Sequence, residues 1–88
     1  MKIKGEFVLR QIMDSTVAIP VSATARRFNG MIVLNDVSKV IWTCLEKHTD
    51  LEHILRAVTD AFAVSDEEAK TDILEFLDKL RSAQLLED

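Results

Sequence analysis

The sequence predicts an α+β fold in which a three-stranded antiparallel sheet is followed by three helices, with the winged helix-turn-helix as the nearest architecture. Branched and apolar residues cluster in short runs over the first third of the chain, as in β-strands. The remainder places apolar residues at helical spacing behind residues that cap helices. At 88 residues, without a repeat or a linker, the chain has room for a single domain that spans residues 1–88.

Three strands are expected in the first third, at about 7–12, 16–20 and 31–34. The residues that follow the first strand are typical of a hairpin turn. Pro20 ends the second strand or lies at a sheet edge, because proline donates no hydrogen bond to a ladder. The third strand is a run of four apolar residues between Gly30 and Asn35. A polar stretch, residues 22–29, is expected to form a loop before it.

Three helices are expected in the remainder, at about 36–47, 50–62 and 66–82. Each follows a residue whose side chain can accept hydrogen bonds from the free amides of the first turn. These start signals are Asn35 or Asp36, Thr49 with Glu52, and Ser65 with Glu68. Trp42 is expected to anchor the packing rather than to bind a ligand. Leu85 and Leu86 are expected to fold back as a short apolar tail.

The charge distribution argues against nucleic acid as a partner. Residues 1–30 hold five basic and two acidic residues, whereas residues 31–88 hold six basic and thirteen acidic ones. An acidic surface repels phosphate backbones. No apolar run approaches the roughly 20 residues that cross a bilayer, and the first residues do not resemble a secretion signal. A cytoplasmic protein with no membrane partner is therefore expected.

Residues suited to catalysis are scarce, so an enzyme is not expected. The chain contains two glycines, two histidines, one cysteine and no tyrosine. Cys44 lies on the apolar face of its helix, the position of an inert buried thiol. His48 and His53 lack the spacing and the companions of a zinc site. Neither a metal nor a cofactor is expected, and the composition favours a module that binds.

An ordered set of residues runs through the chain from about Phe7 to Leu86. The set comprises Phe28-Asn29-Gly30, Leu34-Asn35, Ile41-Trp42, Leu45, Phe62-x-Val64, Asp72, Phe76-Leu77, Leu80 and Leu85-Leu86. It resembles the pattern of the PqqD family, the peptide chaperones of pyrroloquinoline quinone biosynthesis. Gln84 departs from that pattern, because the family usually has glycine just past the last helix.

The resemblance implies a recognition element for the precursors of ribosomally synthesised and post-translationally modified peptides (RiPPs). Such a domain binds the leader segment of a precursor peptide and presents it to a modifying enzyme, often a radical SAM protein. In that family the leader adds as a strand beside the third β-strand, in a groove walled by the third helix. Carried over to this chain, the peptide contacts fall on Met31, Ile32, Val33, Leu34, Asp72 and Phe76.

The residues themselves support an open strand edge at 31–34. Natural sheets usually blunt an edge with lysine, proline or a bulge, and this segment contains none of these. Its side chains, in contrast, have the apolar character of a core strand. Asp72 and Lys79 border the apolar stripe of the third helix, either as polar anchors for a peptide or as solvated surface charges.

Two other functions stay open at this point. A winged-helix regulator could bind DNA near Arg26 and Arg27, but its recognition helix, residues 66–81, carries six acidic and three basic residues. A small oligomerising scaffold is the second alternative. Leu74 projects away from the apolar stripe of its helix, either as a single exposed leucine or as a contact for a partner enzyme or a second copy.

Overall fold

A three-stranded antiparallel sheet and three long helices form the two layers of the protein, in a computed structural model that describes all 88 residues. The strands are β1 (Lys2–Ile3), β2 (Phe7–Ile12), β3 (Ser15–Pro20), β4 (Ile32–Leu34) and β5 (Leu86–Glu87). The helices are α1 (Thr24–Arg27), α2 (Asp36–Leu45), α3 (Leu51–Ala61) and α4 (Asp66–Ser82). This arrangement confirms the predicted α+β class.

The sheet has the strand order β2-β3-β4, so β3 is central and β4 lies at an edge. A two-residue turn at Met13 and Asp14 joins β2 to β3. Met13 has a φ of 55°, the left-handed conformation that tight hairpins favour. β4 runs antiparallel to β3, with Val33 opposite Val17.

The core lies between one face of the sheet and the long helices. Its buried apolar residues include Ala18, Leu34, Ile41, Trp42, Leu45, Ile54, Val58, Ala69, Ile73, Leu77 and Leu80. Trp42 is only 2% exposed and meets Phe7 edge to face, with ring centroids 5.1 Å apart. Phe7 also meets Phe28 edge to face, at 6.0 Å. Trp42 is therefore a packing residue, as the sequence predicts.

Two features were not predicted. The expected polar loop contains α1, whose buried Thr24 accepts a hydrogen bond from the Glu6 N–H at 2.8 Å. β1 and β5 form a separate two-stranded ribbon in which Ile3 lies opposite Leu86, so the apolar tail folds back as a strand. Elements this short have no periodicity that a sequence pattern can reveal.

The ends of several elements differ from the expected ones by one or two residues. β3 begins at Ser15 rather than at 16, and β4 begins at Ile32 rather than at 31. The expected helix over 36–47 ends at Leu45, and the one over 50–62 spans Leu51–Ala61. Helix ends are the least certain feature of a sequence pattern, because the last turn has no apolar repeat of its own.

The cap of α3 corrects the prediction for Thr49. Asp50 accepts the hydrogen bond from the His53 N–H, at 2.9 Å. This bond, and the contact with the His53 ring at 2.7 Å, lower the pKa of the Asp50 carboxyl from its ordinary value. The stabilisation from this cap is therefore complete above the ordinary aspartate pKa and is lost as the pH falls through the lowered value.

Gln84 ends α4 in a left-handed conformation, with a φ of 59°. The Leu85 N–H then donates to the Leu80 carbonyl at 2.8 Å, which closes the helix. Glycine adopts this conformation without side-chain strain, so we expect Gln84→Gly to raise the free energy of unfolding by about 1 kcal/mol. Urea denaturation measures the change, with Gln84→Ala, which keeps the Cβ, as the control. A midpoint for the glycine variant no higher than that of the alanine variant would contradict this account.

Candidate functional site

The outer edge of β4 is free. In the order β2-β3-β4, no strand of the chain pairs with its second edge. The Val33 side chain in the middle of this strand is 65% exposed. Because the edge has neither a charged residue nor a proline to block pairing, it can accept a strand from another chain.

The hydrogen-bond pattern of the hairpin identifies which backbone groups belong to which strand pair. Opposed residues in an antiparallel pair alternate between bonded and non-bonded positions. The tight turn makes Ile12 and Ser15 a bonded pair, and the bond from the Val21 N–H to the Glu6 carbonyl, 3.0 Å, keeps this alternation. On β3, Val17 therefore points its N–H and C=O toward β2.

The backbone N–H and C=O groups of β3 that do not bond to β2 are available to β4. Thr16 and Ala18 point toward β4, where they lie opposite Leu34 and Ile32. The backbone N–H and C=O groups of Ile32 and Leu34 therefore bond to β3. The N–H and C=O of Val33 point the other way, toward the free edge.

A groove of about 330 Å³ lies beside this edge, lined by residues of β4, α2 and α4. Its apolar lining consists of Phe28, Ile32, Val33, Val37, Ile41, Phe76, Leu80, Ala83 and Leu85. Phe28, Ile32 and Phe76 are half-buried, so part of each ring or side chain faces the groove. Apolar surface that remains accessible in a groove is suited to holding apolar side chains of a ligand.

The charged lining of the groove comes from one helix. Asp72, Glu75 and Lys79 are all exposed and all lie on α4, whereas the lining residues of β4 and α2 carry no charge. Asn35 and Ser38 supply the remaining polar groups. The groove therefore has an uncharged wall beside the free strand edge and a charged wall on α4.

Two local features set the position of β4. Gly30 precedes it with a φ of 123°. A Cβ at this position would meet nothing within 4 Å, so glycine is needed here for its backbone conformation and not for lack of space. Asn35 follows it and caps α2: its Oδ1 accepts from the Ser38 N–H, and its own N–H donates to the Ser38 Oγ, both at 2.8 Å. The chain therefore enters and leaves the strand at defined angles.

Five of the seven residues predicted to contact a peptide line the groove: Ile32, Val33, Asp72, Phe76 and Lys79. Met31 precedes β4, is half exposed and is not among the lining residues. Leu34 requires a correction. Its side chain is 3% exposed within the core and its backbone groups face β3, so Leu34 is a core residue and not part of the groove.

The wall formed by α2 was missed. Val37, Ser38 and Ile41 line the groove because α2 turns back beside β4, and no local pattern in the sequence reveals that packing. Glu75 was also missed, although its spacing from Asp72 and Lys79 along the border of α4 would have identified it.

No histidine or cysteine lines the groove. Cys44 lies outside it, and burial raises the pKa of the Cys44 thiol, which keeps it protonated at neutral pH. No three His, Cys, Asp or Glu side chains come together as a metal ion would require. None of the helices combines the length and apolar character needed to cross a bilayer. What the arrangement can do is bind an extended chain.

Comparison with known proteins gives two matches. The family model described as Coenzyme PQQ synthesis protein D (PqqD) matches residues 23–86. The solved structure of TbiB1 in complex with the TbiA(beta) leader peptide superimposes with a TM-score of 0.74, at 28% sequence identity, over 99% of this chain and 95% of that one. No curated protein sequence matches the chain.

Proposed function

Because the chain belongs to the PqqD family, we propose that it is a non-catalytic module, residues 1–88, that binds the leader segment of a ribosomally synthesised precursor peptide. The leader adds as a strand to the free edge of β4 and places its alternate side chains in the adjacent groove. The observation that carries this proposal is the unpaired edge with its outward Val33 N–H and C=O beside an apolar groove. The leader peptide in the TbiB1 complex supports it.

Backbone pairing alone does not hold the leader. Ordering each residue of a disordered peptide costs about 1–2 kcal/mol, whereas each hydrogen bond returns a net of about 0.5–1.5 kcal/mol. The edge of β4 offers few such bonds, because only Val33 within the strand points outward. Two or three apolar side chains, at about 1.5–3 kcal/mol each when fully buried, bring the affinity to about micromolar.

The roles divide between the two walls of the groove. Val33, with Met31 before it, pairs with the leader backbone and sets its register. Ile32 and Phe76 contact apolar side chains of the leader, and Asp72 and Lys79 contact its polar ones. This division is general for strand addition, in which backbone bonds fix the register and side-chain pockets select the partner.

The module acts by bringing the leader to a modifying enzyme. A leader held by the module while the module docks on a modifying enzyme, of which a radical SAM protein is one type, reaches that enzyme at an effective concentration near millimolar. No catalytic group is needed for this role. The proposal assigns the module to the cytoplasm, where ribosomes release the precursor.

Amide hydrogen exchange tests the proposal at a single residue. The probe is a synthetic leader, chosen from any short reading frame that is found near the gene for this chain. The Val33 amide exchanges rapidly in the free protein and slowly in the complex, whereas the Ile32 and Leu34 amides are protected in both, because they already bond to β3. Unchanged exchange at Val33 in a saturated complex would exclude strand addition at β4.

The two alternative functions have less support. On a DNA-binding winged helix, α4 would enter the major groove, and its six acidic residues oppose phosphate. A free edge could also pair two copies of an oligomerising scaffold, but the similarity to a protein solved in complex with a leader peptide favours a peptide carrier. Light scattering with and without the synthetic leader separates that scaffold from a peptide carrier.

Replacing Phe76 tests the contribution of the groove. We expect Phe76→Ala to weaken leader binding about tenfold, because the half-buried ring supplies part of the apolar lining. Leu74→Ala is the matched control: Leu74 is on the same helix, is 41% exposed and lies outside the groove. Titration calorimetry gives both affinities. Equal affinities of the two variants would remove Phe76 from the binding site.

A further inference from the structure

The three charged residues of the groove are free of partners within the chain. The side chains of Asp72, Glu75 and Lys79 make no ion pair, whereas Asp78 and Arg81, further round the same helix, pair with each other. None of the three makes a side-chain hydrogen bond either. Their polar heads are thus available to a ligand in the groove.

These charges follow an order along α4, the helix that forms one wall of the groove. Lys79 follows Asp72 by seven positions, which is about two turns of α4 and a rise of about 10.5 Å along one side of the helix. Glu75 lies between them, nearer to Asp72. One end of the charged wall is therefore doubly acidic, and the other end is basic. The opposite wall has no charge to blur this order.

We propose that this order selects leaders by charge: the bound strand carries a basic residue opposite Asp72 and Glu75 and an acidic residue opposite Lys79. The inference rests on the proposed function, because it requires a peptide strand in the groove. It identifies the substrate class as precursor peptides whose leader combines apolar anchors with one cation and one anion in a fixed order.

The geometry of a strand also restricts their spacing. Successive side chains of a strand point to opposite faces, and residues two apart on one face are separated by about 6.8 Å. Only one face of the added strand looks toward α4. The basic and acidic residues of the leader must therefore be an even number of positions apart, two or four, and an odd separation would turn one of them away from the groove.

A double variant with unchanged composition provides the test. Asp72→Lys with Lys79→Asp keeps the net charge and reverses the order of the wall from acidic, acidic, basic to basic, acidic, acidic. Both positions are exposed, so the two substitutions are expected to change the stability of the fold little. Circular dichroism verifies that the double variant is folded. Parent and double variant are each used to select binders from a random twelve-residue peptide library.

The parent is expected to enrich peptides with apolar anchors and with one basic and one acidic residue at an even separation and in one order. The double variant is expected to enrich the opposite order. For two peptides of the same composition and opposite charge order, we expect an affinity ratio of about tenfold at low salt, which inverts in the double variant and declines toward one near 1 M salt.

Other outcomes distinguish this inference from the function on which it rests. Enrichment of apolar peptides without a charge preference, or with odd separations, would overturn the charge selection and leave the leader-binding proposal intact. Selected peptides that bind without protecting the Val33 amide, or a library from which no peptide is enriched, would overturn both.

Discussion

We expect Val33→Pro to abolish leader binding at the proposed site, with a loss of affinity of about a hundredfold or more. Proline removes the N–H that faces the free edge, leaves a leader carbonyl without a partner and puts its ring where the added strand must lie. The fold survives, because Val33 makes no ladder bond to β3 and its side chain is largely exposed. Titration calorimetry with the synthetic leader measures the loss.

The matched control for this variant is Val33→Ala, which shortens the same side chain and keeps the N–H. Its affinity is expected to fall by no more than about tenfold, since Val33 lines the groove and the change removes two methyl groups, at about 0.8 kcal/mol for each when fully buried. Thermal unfolding by circular dichroism verifies that both variants are folded. A folded Val33→Pro protein that binds as tightly as Val33→Ala would mean that the leader does not pair with β4.

Trp42→Ala has the largest expected effect on stability. Trp42 is 2% exposed and is the largest fully buried side chain, and deletion of such a ring costs about 3–5 kcal/mol. The free energy of unfolding of a domain of this size is about 5–10 kcal/mol, so the substitution removes between about a third and all of it. Urea denaturation followed by far-UV circular dichroism gives the difference, since the variant has no tryptophan to report.

The effect of this substitution extends to the groove. Phe7 packs against Trp42 on one side and against Phe28 on the other, and Phe28 lines the groove. Trp42→Phe, which retains an aromatic ring in the site, is expected to lose less than half as much stability. If the alanine variant unfolded at the same urea concentration as the parent, the interpretation of Trp42 as the central packing residue would be wrong.

The strand at 31–34 shows what a sequence pattern can reveal about a site. Four apolar residues between Gly30 and Asn35 predicted a strand, and the lack of edge-blocking residues predicted that its edge is open. Which of its backbone groups face outward depends on the register with β3, and that register is set by the hairpin turn. Only the paired strands assign the outward position to Val33 and move Leu34 into the core.

For the helices too, the sequence predicted some features of the site and not others. Periodicity located α4 and put Asp72 and Lys79 at the border of its apolar stripe, which is where they line the groove. The contribution of α2 could not be predicted, because it arises from the direction in which that helix leaves Asn35. The ribbon of β1 and β5 could not be predicted from the sequence for another reason, because two-residue strands depend on tertiary pairing alone.

The separation between an uncharged strand edge and a charged helix wall has a consequence for how such modules diversify. In the proposed complex, the strand edge pairs with main-chain groups, which every peptide has in common, so this pairing does not depend on the identity of the precursor. The discriminating side chains on α4 are exposed and lie outside the core, and they can change without loss of the fold. The proposed charge selection therefore implies that, after gene duplication, a few substitutions on this one helix can assign two copies to two different precursor peptides.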